Sequence, residues 1–153
     1  MNRITRIGRL AAYDEDFALW SAEQAALLRT GSLEGLDTTN LAEEIESLGR
    51  SQEDEIESRV GVLLHHLLKW RFQPEGHSNS WRATILEQRM RIRRRIQKSP
   101  SLRGYPASVL DEEYRLARLM ASGETGLPED AFPSACPFTI EEILDPDFLP
   151  DAG

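Results

Sequence analysis

The sequence predicts an all-α domain of the helical-bundle class, with one long helix and a Pro-rich C-terminal segment that wraps over the bundle. Three observations carry this. Apolar residues recur in steps of three and four. Helix-starting Asp, Ser and Thr and helix-ending Gly and Pro stand at the edges of those runs. No segment alternates with the period of two that a half-buried strand needs.

Residues 1–12, with Arg3, Arg6 and Arg9 and no acid, read as a flexible basic arm, and residues 13–153 as a single helical domain. Asp14, Glu15 and Asp16 supply a cap and favourable charge for a first helix, whose inner positions are Phe17, Trp20, Gln24, Leu27 and Leu28 and whose stop is Gly31. Asp37 or Thr39 caps the second. Leu41, Ile45, Leu48, Ile56, Val60, Leu63, Leu64, Leu67 and Trp70 share one sector of a helical wheel, which predicts a single long helix ending before Pro74. Gly49 and Gly61 each cost about 1 kcal/mol relative to alanine within a helix, and Ser51 with Asp54 resembles a fresh cap, so a break near Gly49 is the alternative.

Ser80 is expected to cap a third helix from Trp81 to Lys98, with Trp81, Ile85, Ile92 and Ile96 inward. A fourth covers roughly Pro106 to Ser122, with Val109, Leu110, Leu116, Leu119 and Met120 inward and Gly123 as terminator. Beyond it stand Pro128, Pro133, Pro137, Pro146 and Pro150, so regular structure is expected only around Thr139 to Leu144, where Thr139 and Glu142 form a capping-box pattern. Phe132, Phe138, Ile140, Ile143 and Phe148 are the expected anchors of this tail.

Composition narrows the class of protein. With 153 residues the chain can bury roughly two-thirds of its unfolded surface and needs no disulfide or structural metal. Its single cysteine, Cys136, excludes an internal disulfide and the zinc patterns built on paired cysteines. No apolar run approaches the roughly 18 residues of a membrane span, and no secretory apolar block opens the chain, so a cytoplasmic protein without membrane contact is expected. The net charge of −8 opposes a general nucleic-acid binder.

The succession YDEDFALW, LLRTG, LDTTNLAEEIESLG, LLHHLLKW, SWRATI, EQR, SPSLR, GLPEDAFP, CPFT and IEEIL closely resembles, in the same order, the bacterial family of domain of unknown function 29. The match runs from about Tyr13 to Leu144. The resemblance implies a bacterial, all-helical, single-domain protein, and names a family without naming a function.

Catalytic and metal signatures are weak. No Glu-x-x-His pair suits a di-iron site, and the adjacent His65 and His66 lie about 100° apart on a helix, so they cannot chelate one ion together. Glu43, Glu44 and Glu46 lie about 20 residues away, roughly 30 Å along an unbroken helix. No metal or cofactor is expected. His66 borders the apolar stripe while His65 points away, and Lys69 follows one turn later, able to cover Trp70. A polar patch of Glu44, His66, Lys69 and Arg89 is the form an enzyme, of a metal- or anion-dependent hydrolase type, would take here. Cys136 reads as a small packing group.

Charge is segregated. Residues 34–57 hold nine acids against Arg50 alone, and residues 81–103 eight bases against Glu87 alone. Arg91, Arg94, Arg95 and Lys98 recur at i, i+3, i+4 and i+7 and form an exposed basic face, suited to an acidic surface of this chain or a partner. Arg59 and Arg89 fall toward the core. Glu55, one turn before Arg59, is its expected partner, and Glu43, Glu44 or Glu46 that of Arg89. These features favour an interaction or assembly module, self-associating through the long helix or binding another protein. An enzyme and a nucleic-acid regulator using the basic face are the alternatives.

Overall fold

A computed structural model describes residues 9–151. Most of the expected basic arm, residues 1–8, therefore lies outside the described residues. The described residues form six α-helices: α1 (Phe17–Thr30), α2 (Thr38–Phe72), α3 (Asn79–Lys98), α4 (Tyr105–Ser108), α5 (Leu110–Thr125) and α6 (Ile140–Leu144), with short 3-10 turns and no strand among them. None is long and apolar enough to cross a membrane. The chain divides into two compact units, residues 1–49 and 50–153.

In the first unit, Asp16 caps α1 by accepting from the Leu19 amide at 3.0 Å, and Gly31 ends it at φ 71°. Tyr13, Phe17 and Trp20 form an aromatic cluster with centroids 4.9–5.6 Å apart. Asp37 joins the two helices of this unit. Its carboxylate accepts from Trp20 Nε1 at 3.0 Å and Asn40 Nδ2 at 2.8 Å, and its amide donates to Gln24 Oε1 at 2.8 Å. The inward set of α1 is accordingly Trp20, Glu23 and Gln24, whereas Phe17 and Leu28 are half exposed, against expectation. Polar hydrogen bonds hold this small unit where it lacks apolar partners.

The second unit holds the main core. Ile56, Val60, Leu63, Leu64, Leu67 and Leu68 of α2 are fully buried with Ile85 and Ile92 of α3, Tyr114, Ala117 and Ala121 of α5, and Phe132, Phe138 and Ile143 of the tail. Helix α2 is continuous through Gly49 and Gly61, so the alternative break does not occur. Gly61 has a packing reason: a Cβ there would stand 2.7 Å from Glu113 Oε2, so its absence lets that carboxylate reach α2.

Two of the expected helices differ in their boundaries. Ser78, not Ser80, caps α3 by accepting from the Trp81 amide at 3.1 Å, which starts the helix two residues earlier. The expected fourth helix is divided at Val109 into α4 and α5, and Gly126 at φ 74°, not Gly123, ends it. Its inner face is Tyr114, Ala117 and Ala121, while Leu116, Leu119 and Met120 face outward. The small alanines let α5 approach the core closely and Tyr114 fills the remaining space, its hydroxyl donating to the Pro133 carbonyl at 2.5 Å. The tail carries the reciprocal capping box of Thr139 and Glu142 at the start of α6.

Candidate functional site

The most developed polar arrangement lies in the second unit, between α2 and α3. Arg59 donates to Glu55 Oε1 from Nε at 3.0 Å and from Nη2 at 2.8 Å, and reaches Gln88 Oε1 from Nη1 at 3.1 Å. Arg95 Nη2 takes the other carboxylate oxygen, Glu55 Oε2, at 2.5 Å. One carboxylate thus ties two guanidiniums across two helices. The Arg59 hydrogen bonds, foremost, and the charges of Arg95 and Arg59 overcome burial to hold the Glu55 carboxyl below its usual range.

Arg91, Arg94, Arg95 and Lys98 line a depression of about 150 Å³ with Glu55 on its wall. Arg91 is steadied by Glu87, one turn before it, at 2.8 Å. Among the described residues, no ion pair involves Arg94 or Lys98.

Arg89 is 4% exposed on the inner side of α3. Its Nε donates to the Ile143 carbonyl at 2.7 Å and its Nη2 to the Glu142 carbonyl at 3.3 Å, while Nη1 is buried without a protein partner. The partner expected for it, an acid among Glu43, Glu44 and Glu46, is replaced by carbonyl oxygens at the end of α6. The Ile143 carbonyl, in the last turn of α6, has no onward helical partner, and the Glu142 carbonyl also accepts from the Asp145 amide at 3.3 Å, so a cation there stabilises the helix end without a facing carboxylate. Burial lowers the Arg89 pKa, opposed by Asp145 and Asp147.

A second polar cluster joins α2 to the last turn of α5. Lys69 Nζ donates to Glu124 Oε2 at 2.6 Å and lies 4.6 Å from the Trp81 ring centroid, so it covers Trp81 and not Trp70. His65 Nε2 is 3.6 Å from Glu124 Oε1. His65 is the more buried of the two histidines, the reverse of the expected orientation, because its ring fits between the core and Glu124. Burial, then the neighbouring His66, lowers its pKa to about 4. His66 donates from Nδ1 to the Val62 carbonyl at 2.8 Å, and burial lowers its pKa too. Burial would raise the Glu124 carboxyl, but Lys69 and His65 hold it below its usual range. Trp70 stacks on His77 at 3.8 Å, and His77 Nε2 donates to the Trp70 carbonyl at 2.6 Å.

The side chains expected to form a catalytic patch are engaged separately. Glu44 belongs to the first unit, where it accepts from the Tyr13 hydroxyl, and Glu43 is also engaged. His66, Lys69 and Arg89 bond, respectively, to the Val62 carbonyl, Glu124 and the tail carbonyls. Glu124 was not among the expected site residues. Its position on α5 signals nothing locally, and only packing brings it to Lys69. Among the described residues no group of three or more His, Cys, Asp or Glu could hold a metal ion.

One apolar stripe and one further apolar side chain face outward. Leu116, Leu119 and Met120 of α5 are each 52% exposed, and Ile45 of α2, in the first unit, is 66% exposed. Large apolar side chains grouped on one helix face, opposite a face already packed, mark contact surfaces rather than scattered surface residues.

Fold and sites together define a small all-α protein with one long helix, with polar networks and no recognisable catalytic constellation among the described residues. The chain belongs to the family described as Domain of unknown function DUF29, whose model matches residues 12–149. No curated protein and no solved structure matches it.

Proposed function

We propose that this protein is a helical interaction or assembly module that self-associates, with a second copy of the chain as the partner. The observation that carries this reading is the outward stripe of Leu116, Leu119 and Met120 on α5, spaced i, i+3 and i+4 away from the core face of Tyr114, Ala117 and Ala121. The long helix adds the exposed Ile45 in its first half, since its C-terminal apolar sector is already consumed by the core. One chain therefore offers an apolar helix face on α5 and the exposed Ile45 on α2, which a second copy can cover by helix packing.

Light scattering or sedimentation of the purified chain at micromolar concentration tests this. The expected result is a dimer or larger species that Leu119→Glu or Ile45→Glu shifts toward monomer without changing the helical circular-dichroism signal. A chain that is monomeric before any substitution overturns the reading.

A further inference from the structure

We propose that the depression formed by Arg91, Arg94, Arg95 and Lys98 binds a small phosphoryl anion, of the class of pyrophosphate and phosphate monoesters. The site is independent of the apolar side chains that support self-association.

Four cations stand at i, i+3, i+4 and i+7 on α3, so they share one face and span roughly 10 Å along the axis at 1.5 Å per residue. Two are held in place, Arg95 by Glu55 at 2.5 Å and Arg91 by Glu87 at 2.8 Å. Arg94 and Lys98 are exposed and make no ion pair among the described residues, so their charge is available to a ligand. Glu55 does not repel an anion strongly, because Arg59 and Arg95 already occupy both of its oxygens. Guanidiniums present paired donors that match phosphoryl oxygens, and Lys98 adds a point charge. The volume of about 150 Å³ equals roughly five waters and suits a compact anion.

The same observations favour a small anion over a nucleic-acid strand. A strand would extend beyond the depression into the field of a chain with net charge −8, whereas a compact ligand senses mainly the charges within a Debye length of about 10 Å. Residues 82–103 contain no aromatic side chain on which bases could stack. The last turn of α3 favours cations through the helix dipole alone, so a purely structural role for Arg95 and Lys98 is the competing account.

Calorimetric titration of the full chain with pyrophosphate at low ionic strength tests the site, with sulfate and a single-stranded oligonucleotide as parallel arms. The expected result is saturable binding at one site per chain, weakened at least tenfold in Arg94→Gln/Lys98→Gln and unchanged in Arg93→Gln, a control on the same helix outside the depression. Undetectable pyrophosphate binding at millimolar concentration overturns the proposal. So does equal weakening by Arg93→Gln, which would mean diffuse charge attraction, or tighter binding of the oligonucleotide with the same residue dependence, which would make the surface a nucleic-acid site. A double variant that lowers the melting temperature while leaving pyrophosphate affinity intact assigns the residues to the helix end instead.

Discussion

Lys69 Nζ and Glu124 Oε2 are 2.6 Å apart, and the lysine is 6% exposed, so a buried ammonium on α2 depends on a half-exposed carboxylate on α5 for its charge partner. Removing that partner strands the charge. Glu124→Ala is expected to destabilise the fold by about 2 kcal/mol, below the range for fully buried pairs because the carboxylate is partly solvated. Lys69→Met, which removes the charge that needs compensation, should cost less. Urea denaturation of both variants checks the order, and a milder effect in Glu124→Ala than in Lys69→Met contradicts it.

His65 makes stability depend on pH. An unfolded chain protonates this histidine near 6.5, whereas in the fold its pKa is about 4. Between those values the unfolded state binds more protons, so stability rises with pH across the window and is lost on acidification through it. The expected loss is about 2–3 kcal/mol between pH 7 and pH 4. Melting temperatures over this range should fall less steeply in His65→Gln than in the unsubstituted chain; parallel profiles would falsify the assignment.

Arg89 holds the end of α6 through its hydrogen bonds to Ile143 and Glu142. Arg89→Met keeps much of the packing volume but leaves the buried Ile143 carbonyl without its donor, at an expected cost of about 1–3 kcal/mol. Amide exchange should then accelerate first in residues 140–149. Unchanged exchange there, with unchanged global stability, argues against this anchoring role.

Two glycines should respond in opposite directions to alanine. Gly49 lies inside α2, and apart from its neighbours and its own helix backbone nothing stands within 4 Å of the place an added methyl group would take, so Gly49→Ala is expected to stabilise by about 0.5–1 kcal/mol. Gly126 ends α5 at φ 74°, where a side chain is strained, so Gly126→Ala should destabilise by about 1 kcal/mol. Chemical denaturation of the pair checks the signs.

Local chemistry made several elements legible in advance. Asp16 and Gly31 bound α1, Thr139 and Glu142 start α6, and Glu55 meets Arg59 one turn away, because each depends on residues within four positions. The wheel misread α5, since Leu116, Leu119 and Met120 are periodic and apolar yet outward, while two alanines and a tyrosine face the core. Hydrophobicity alone cannot choose between two apolar faces when the partner surface demands small side chains.

The all-α class, the long second helix, the segregated charge and the family are written in the order of residues along the chain, because periodicity, caps and motif order are properties of neighbouring residues. It takes the packed helices to bring Glu124 to Lys69, the tail carbonyls to Arg89, and Arg95 beside Arg59 on Glu55. These partners lie far apart along the chain, 55 positions for Lys69 and Glu124 and 54 for Arg89 and Ile143, and a buried donor takes whichever oxygen the packed backbone brings within reach.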